Sequence, residues 1–489
     1  MPLNRRSFVA SSTAAALSAS LSRGAWAAGN GDPDVIVIGA GLSGLETALT
    51  LEENGLKVQV LEGRKRIGGR VFTLFDVAGH PEVGGNSITS AYGRCFAAGT
   101  KYGVEVVNLT PLVTDGLGQE IFIDGEHVKS QAWPSHPRNP FSDDMKKLLP
   151  WSWFEAMFRK HLPFKDLENW HDPVYAKHDI SVHEFLTSHG ATDAMIRLGF
   201  DTNISYGTTA YNVSLLTMAF ADYWREVNRA KGIADSKSSS ANPAFASYKG
   251  GNQKLPIAMA NRLRGDVLQG KRIIGIDVSP TGGKVACADG TSYRAKAIVC
   301  TMPFSTLRNV PINPLPQPAQ QRAITTLGYI PITQFHIVAK KPFWEADGLS
   351  PSMWTNGPLG NVLAQRLPAT LRQIDSLTVW CRGANGQFID RFGVEEGKRI
   401  ILDEFARLRP ASKGALEVAA VHSWTTDPFS AGDWAIFEPG QVRDFQKTMA
   451  RPHQRLFFAG EHTAVGSRGM EGAFESAERV SLEVLGAIG

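Results

Sequence analysis

The sequence predicts an α/β fold built around a parallel β-sheet. Apolar residues 35–38 enter a glycine-rich turn at 39–44, and a helical segment then leads to a second apolar run at 58–61. Strand, helix and strand in this order form a βαβ unit, in which the two strands are parallel and the crossover is right-handed. The acid Glu62 ends this unit. We therefore expect a Rossmann-like sheet to begin near residue 33.

The glycines and the acid together are typical of dinucleotide binding. Gly39 allows the tight turn, Gly41 lets the backbone approach a pyrophosphate, and Gly44 lets the helix pack closely against the sheet. The helix beginning at Leu42-Ser43 points its free N–H groups at the phosphates. Glu62 lies about 20 residues further on, where its carboxylate accepts hydrogen bonds from ribose hydroxyls and disfavours a 2′-phosphate. These residues leave NAD and FAD equally open.

Length and composition limit the other possibilities. A chain of 489 residues is too long for one compact core and predicts two or three domains. The net charge of +4 is small for this length and indicates no nucleic-acid partner. The histidines are dispersed and the cysteines lack CxxC spacing, so we expect no metal site and no redox dithiol. The cysteines, which we expect to be buried thiols, are Cys95, Cys287, Cys300 and Cys381.

Residues 1–28 have the pattern of a Tat signal peptide. The twin arginines Arg5-Arg6 precede an Ala/Ser-rich stretch, and Ala25-Trp26-Ala27 resembles a cleavage site. The Tat machinery exports proteins that have already folded, as an enzyme loaded with its cofactor in the cytoplasm requires. The predicted location is therefore the periplasm, or outside the cell. No other segment has the roughly 18 apolar residues of a membrane span, so we expect none.

Further motifs follow one another along nearly the whole mature chain. They are Leu61-Glu62-Gly63-Arg64 with Ile67-Gly68-Gly69-Arg70, Gly250-Gly251 before Leu255-Pro256, Cys300-Thr301-Met302-Pro303-Phe304-Ser305, Lys341-Pro342-Phe343-Trp344, and Ala459-Gly460-Glu461-His462-Thr463 before Gly469-Met470-Glu471-Gly472-Ala473. In this order they resemble the FAD-dependent amine oxidase family, which includes monoamine, polyamine and L-amino-acid oxidases. The resemblance implies FAD, a fold of the glutathione-reductase and amine-oxidase type, and oxidation of a C–N bond.

The resemblance also implies a discontinuous FAD-binding domain with an interleaved substrate-binding domain. We assign residues 33–110, 249–310 and 421–489 to the Rossmann-like FAD-binding domain. Residues 111–248 and 311–420 form the α+β substrate-binding domain. The interleaving agrees with the residues themselves, because the nucleotide-binding pattern starts at residue 33 and its best partner lies at 458–461.

Particular cofactor contacts are carried over by the same resemblance. Arg70 would face the pyrophosphate, since a guanidinium suits phosphate oxygens. The backbone of Ile273 would meet adenine, Glu461 the ribityl–phosphate region, and the helix from Met470 would place its positive dipole end at the flavin. The full predicted set is Gly39, Gly41, Leu42, Ser43, Gly44, Glu62, Gly63, Arg64, Gly69, Arg70, Gly84, Gly85, Asn86, Ile273, Gly460, Glu461, Gly469 and Met470.

The catalytic part departs from the family pattern at several positions. Family members flank the substrate with two aromatic side chains: Trp434 matches the first, but Gly469 stands at the second, which predicts room for a bulkier amine. A cysteine that carries covalent flavin is replaced by Asp433, so we expect noncovalent FAD. Gln334 occupies the position of a lysine linked through water to flavin N5, which predicts slow reaction with oxygen and an alternative acceptor such as a periplasmic cytochrome.

The expected reaction is oxidation of an amine to an imine by hydride transfer to flavin N5. An L-amino-acid oxidase is a second possibility, but the arginine that binds the substrate carboxylate in that branch of the family is absent after Asn86. Arg94 and Arg468 are the candidates that could replace it. A desaturase or isomerase of the same superfamily, acting on an apolar substrate, is a third. The partners expected are a small amine, an electron acceptor and the export machinery, with the enzyme a monomer or homodimer.

Overall fold

The computed structural model describes residues 31–110, 118–202, 206–235, 242–366 and 373–488. The predicted signal peptide at 1–28 lies outside these residues. All four cysteines are buried free thiols, as expected.

The strands, numbered in chain order, are β1 (Val35–Ile38), β2 (Val58–Leu61), β3 (Phe72–Thr73), β4 (Glu82–Gly84), β5 (Ile88–Thr89), β6 (Val106–Asn108), β7 (Glu120–Ile123), β8 (Glu126–Val128), β9 (Phe245–Tyr248), β10 (Ile273–Ser279), β11 (Gly282–Cys287), β12 (Ser292–Ala295), β13 (Ala297–Cys300), β14 (Ile312–Asn313), β15 (Gly328–Tyr329), β16 (Ile332–Ala339), β17 (Met353–Thr355), β18 (Asn361–Gln365), β19 (Ser376–Arg382), β20 (Leu416–Ser423), β21 (Ala435–Ile436) and β22 (Leu456–Phe458).

The α-helices are α1 (Leu42–Glu53), α2 (Gly93–Tyr102), α3 (Pro150–Lys160), α4 (Val182–Ser188), α5 (Asp193–Ile196), α6 (Leu215–Asp235), α7 (Lys254–Ala260), α8 (Phe304–Leu307), α9 (Pro318–Thr326), α10 (Phe343–Asp347), α11 (Ala384–Asp390), α12 (Gly393–Leu408) and α13 (Gly469–Ile488).

A four-stranded parallel sheet carries the predicted βαβ unit. Its strand order is β2-β1-β13-β22, so residues from the start, middle and end of the chain lie side by side. Every residue of β1 is buried, because helices α1 and α13 cover one face and other elements cover the second. The predicted strand–helix–strand order over 33–62 and the final helix from about residue 470 are confirmed.

Helices α1 and α13 are also joined by polar contacts. The hydroxyls of Ser43 and Ser476 lie 3.0 Å apart, and the Ser476 hydroxyl accepts a hydrogen bond from the N–H of Gly460 at 2.9 Å. The first helix, the last helix and the turn after β22 therefore meet at one buried point.

A seven-stranded sheet forms the second large unit, with the order β20-β16-β19-β18-β17-β7-β8. One face of its central strands is apolar: Phe335, Val379 and Cys381 pack with side chains of α11 and α12. The alternate residues, which include Gln334 and Arg382, lie on the other face. This sheet lies within the two segments that the sequence assigns to substrate binding, except that β20 extends to residue 423. The domain boundaries themselves stay a prediction.

Four smaller sheets are also formed by the described residues, with the orders β12-β11-β10-β14, β5-β9-β6, β3-β4 and β15-β21. Helices α3 to α6 pack around buried aromatic side chains such as Trp153 and Phe154, which belong to the same hydrophobic core as Ile36 of β1. Among the described residues, no helix is both long and apolar enough to cross a membrane.

Candidate active site

The main cavity opens where the parallel strands end. It has a volume of about 670 Å³, and its lining includes Gly39 after β1, Glu62 after β2, Thr301 after β13 and Gly460 after β22. These are the carboxyl ends of all four strands, where open α/β sheets bind their ligands. We call the part lined by Gly39, Gly41 and Glu62 the turn end of this cavity.

The glycine turn is built as the sequence predicts. Gly39 has φ +108°, and a Cβ added there would lie 2.5 Å from the hydroxyl oxygen of Thr301. A Cβ on Gly44 would lie 2.0 Å from the carbonyl oxygen of Gly39, so only glycine lets α1 pack this close to β1. A Cβ added to Gly69 would lie 3.3 Å from the Cα of Gly41. The backbones of these two glycines therefore lie against each other in the cavity wall.

Glu62 holds the turn from the neighbouring strand. It is buried, and its two carboxylate oxygens accept hydrogen bonds from the N–H groups of Ala40 at 2.8 Å and Arg64 at 2.7 Å. Each oxygen keeps a free lone pair, because a carboxylate accepts about four hydrogen bonds. Glu62 also lines the cavity, so the remaining lone pairs can receive ribose hydroxyls.

Two predicted arginines are fixed by ion pairs across the cavity wall. Arg70 donates to Glu461 at 2.8 Å and also to the backbone oxygen of Asp433. Arg64 donates to Asp427 at 2.9 Å and therefore fixes the loop that follows β20. Each is a guanidinium with a set position and remaining N–H donors, as binding of phosphate oxygens requires.

The other part of the cavity is lined by Tyr92, Arg382, Trp434 and Gly469, and we call it the aromatic end. Gly469 begins α13, whose N-terminus therefore reaches the cavity together with Met470. Gly469 has φ +60°, and a Cβ added there would lie 3.2 Å from the phenol oxygen of Tyr92. The Tyr92 phenol therefore borders the position at residue 469, and the room for a bulkier amine that Gly469 indicates stays a prediction.

Arg382 brings a positive charge to the aromatic end. Its Cζ lies 4.2 Å from the ring centroid of Trp380 and 4.8 Å from that of Trp434, distances typical of cation–π contacts. Burial lowers the pKa of Arg382 to about 10, although Asp433 opposes the shift. Burial likewise raises the pKa of Asp433 to about 6, against the effect of Arg382 and Arg70. Both groups remain mostly charged at neutral pH.

The cavity brings most of the predicted site residues together. Those that line it are Gly39, Gly41, Leu42, Ser43, Glu62, Gly63, Arg64, Gly69, Arg70, Gly85, Asn86, Ile273, Trp434, Gly460, Glu461, Gly469 and Met470. Gly44 and Gly84 lie behind this wall. Their role is close packing, since a Cβ on Gly84 would lie 2.3 Å from the carbonyl oxygen of Arg70.

Gln334 is buried on β16, outside the cavity lining, and pairs in register with Trp380 on β19 and His422 on β20. Trp380 lines the cavity, so Gln334 is one strand removed from it. The two arginines considered for a substrate carboxylate do not line it. Arg94 is paired with Glu471 and Glu478, and Arg468 lies with its Cζ 5.8 Å from the ring centroid of Phe220.

Sequence reasoning missed Tyr92, Trp380 and Arg382. Tyr92 precedes α2 without any motif around it. A signal for the other two does exist: in β19 the polar residues Ser376, Thr378 and Arg382 stand at alternate positions, and Trp380 falls in the same alternate set. In a strand this pattern places Thr378, Trp380 and Arg382 on one face, opposite the apolar core.

The sheet, the glycine turn and the cavity that joins the turn end to the aromatic end are typical of an enzyme that binds a dinucleotide next to its substrate. The family described as flavin containing amine oxidoreductase matches residues 42–485, and the chain belongs to this family. Its cofactor is FAD, and it is an FAD-dependent amine oxidase by class. The turn end fits that cofactor, since exposed glycine backbone, free lone pairs on Glu62 and fixed guanidinium groups all line it.

Relatives and solved structures match this chain over nearly its full length. The putative L-amino-acid oxidase YobN of Bacillus subtilis is 27% identical, over 92% of this chain and 94% of its own. Human flavin-containing amine oxidase B is 24% identical, over 93% of this chain and 86% of its own. The cyclohexylamine oxidase of Brevibacterium oxydans superposes with a TM-score of 0.71 at 21% identity, covering 93% of this chain and 98% of that one.

Proposed function

We propose that this enzyme oxidises a small amine to an imine, which water then hydrolyses to an aldehyde or ketone and ammonia or a smaller amine. The observation that carries the proposal is the continuity of the cavity, because Trp434 lines the same space as the glycine turn and Glu62. Bound FAD supplies the acceptor for the hydride that leaves the carbon next to the nitrogen. The protein must bind the amine, orient its C–H bond and keep water away.

The residues of the aromatic end suit those tasks. The Trp434 ring gives the substrate a flat surface to lie against, which restricts its orientation. The N-terminus of α13, at Gly469 and Met470, directs a positive dipole end into the cavity and favours negative charge there. Asp433 stands where covalently bound flavin would need a cysteine, which supports noncovalent binding of FAD.

Anaerobic mixing of the purified flavoprotein with a substrate panel tests this proposal. The panel comprises arylalkylamines, aliphatic diamines, L-amino acids and carotenoid-like lipids. Bleaching of the visible flavin band by amines supports the proposal. Bleaching by lipids alone would replace it with a desaturase or isomerase, and no bleaching by any amine would refute it.

Oxidation of L-amino acids is the second candidate, and Arg382 favours it. A guanidinium in the aromatic end can receive a substrate carboxylate, which the sequence alone gave no reason to expect. The similarity to a putative L-amino-acid oxidase points the same way. The amino-acid members of the panel decide between the two candidates.

For the electron acceptor we propose slow reaction with oxygen, with a periplasmic protein such as a cytochrome as the alternative. This rests on Gln334, an uncharged side chain at a position where the family commonly has a cation. Stopped-flow mixing of the reduced enzyme with oxygen tests it, with Gln334→Lys as the comparison. Slow reoxidation that Gln334→Lys accelerates is expected, and fast reoxidation of the wild type would disprove it.

We also propose export to the periplasm through the Tat pathway, on the evidence of the twin arginines. Changing both to lysine, Arg5→Lys/Arg6→Lys, should leave the protein in the cytoplasm. Arg23→Lys serves as the matched control within the same segment and should be exported normally. Equal periplasmic amounts of all three proteins after cell fractionation would contradict the proposal.

A further inference from the structure

Gly469 and Tyr92 form a complementary pair at the aromatic end. The missing side chain at 469 leaves a space into which the Tyr92 phenol extends, so that an added Cβ would lie 3.2 Å from its oxygen. Both residues line the cavity, as does Trp434. An aromatic side chain therefore borders the position at residue 469 although it comes from a distant part of the chain.

The structure holds Tyr92 in this position from the side of α13. Tyr92 directly precedes α2, and the first turn of α2 is tied to α13 by Glu471. The carboxylate of Glu471 accepts hydrogen bonds from the N–H groups of Arg94 at 3.0 Å and Cys95 at 3.2 Å. Because Glu471 is buried and lies two residues after Gly469 in α13, the place of Tyr92 relative to Gly469 is fixed.

Helix α6 supports Tyr92 from another side. The side-chain oxygen of Asn228 accepts hydrogen bonds from the hydroxyl of Thr89 and, at 3.3 Å, from the N–H of Ala91. The ring of Trp224 packs against that of Tyr92 with 5.6 Å between centroids. The tyrosine is therefore a rigid part of the wall.

The chemistry of Tyr92 suits contact with a neutral amine. Burial raises the pKa of its phenol to about 12, so the group stays protonated and uncharged in the working range of pH. It presents a flat ring together with one hydroxyl that can donate a hydrogen bond. A charged group in the same place would oppose the loss of water from the substrate.

We propose that Tyr92 is a specificity-determining residue, which acts with Trp434 as the second aromatic wall of the amine site and limits the size of the amine. The inference rests on the proposed function, because it assigns a role within the amine site. The sequence indicates an open gap at Gly469. According to this proposal, Tyr92, the residue before α2, forms the wall at that position.

Substitution of Tyr92 tests the proposal with benzylamine and the bulkier dibenzylamine. Tyr92→Phe keeps the ring, so KM for benzylamine should change less than about three-fold. Tyr92→Ala removes the wall, so KM for benzylamine should rise about ten-fold and the preference for benzylamine over dibenzylamine should fall by a similar factor. FAD content and kcat should change much less.

Two further measurements separate this role from a structural one. Gly469→Ala should raise KM for benzylamine in the wild type, and clearly less in the Tyr92→Ala background, because the contact with the phenol is then gone. The fluorescence of bound flavin should rise in Tyr92→Ala, since a nearby phenol quenches it. If Tyr92→Ala folds poorly, Tyr92→Leu is the substitute, because it keeps apolar volume but removes the ring. The same change in preference between the two amines is then expected.

The controls lie outside the cavity lining. Tyr102→Phe removes the hydroxyl of another tyrosine, and Tyr175→Ala truncates a half-buried one. Neither should change the preference between the two amines. An unchanged preference between the two amines in FAD-loaded Tyr92→Ala would overturn this inference and leave the proposed function standing. A wild-type flavin that no amine bleaches would overturn the proposed function, and this inference with it.

Discussion

The turn end and the aromatic end of one cavity are built in different ways. At the turn end, Gly39, Gly44 and Glu62 act within a single βαβ unit, and hydrogen bonds to the backbone fix them. At the aromatic end, Tyr92, Arg382, Trp434 and Gly469 come from four separate parts of the chain. The first region depends on backbone geometry that tolerates few residues, whereas the second depends on how distant elements pack.

The largest expected effect is at the turn end, in Gly44→Ala. Its Cβ would lie 2.0 Å from the Gly39 carbonyl oxygen, so α1 must move away from β1. We expect the free energy of unfolding to fall by about 3 kcal/mol and FAD to be lost on purification. Urea unfolding and the ratio of flavin to protein absorbance measure these changes. The matched control is Gly486→Ala in α13, where a Cβ meets nothing within 4 Å, and it should stabilise slightly.

Glu62→Gln comes next and separates the cofactor contact from the packing. Glutamine offers one acceptor oxygen, so the N–H of Ala40 or of Arg64 loses its partner, as does a ribose hydroxyl. The dissociation constant of FAD should rise about 100-fold, measured by equilibrium titration. Glu52→Gln is the control, since Glu52 is also a buried carboxylate that accepts a backbone N–H, from Arg264. Equal FAD affinity in both variants would rule out the assigned role of Glu62.

At the aromatic end, Arg382→Met tests the role of the guanidinium by comparing a substrate that has a carboxylate with one that lacks it. For phenylalanine, kcat/KM should fall about 30-fold, because the carboxylate loses a charged donor. For 2-phenylethylamine, which has the same ring but no carboxylate, kcat/KM should change by less than about three-fold. The paired substrates control for any change in shape. An equal loss on both would show that Arg382 supports the wall without recognising charge.

The smallest expected effect is a pH-dependent change in stability at Asp433. Burial raises its pKa to about 6 from a usual value of 3.8. The folded state therefore holds the proton more tightly than the unfolded state, and stability is lost as pH rises from about 4 to about 6. Asp433→Asn should increase the free energy of unfolding at pH 7.5 by about 1–2 kcal/mol, with little gain at pH 4. Urea unfolding of the FAD-free protein at both pH values measures this, and a gain independent of pH would contradict it.

The turn end could be predicted from the sequence more fully than the aromatic end. The glycine turn, Glu62 and the start of α13 could be predicted because short patterns encode them and few residues satisfy the backbone there. The approach of Tyr92 to Gly469 could not, because it depends on hydrogen bonds that the N–H groups of Arg94 and Cys95 in α2 donate to Glu471 in α13. The alternation within β19 places Arg382 opposite the apolar core, but its pairing with Ile332 across the sheet is not visible in that pattern. The sequence shows that position 469 has no aromatic residue, but it does not show that Tyr92 approaches this position.

The parallel sheet has a consequence for how the chain is made. Val37 lies between Val60 and Val299, and Val299 pairs in turn with Phe457, so the sheet is complete only when the segment around residue 457 has joined it. Contacts of such large sequence separation slow folding, because a long loop must close before they form. A nascent chain that stops before residue 456 therefore has the glycine turn, but β13 lacks its partner β22 and α1 lacks its partner α13. Fragments that end before β22 should accordingly expose the edge of β13 and be substrates for chaperones and proteases.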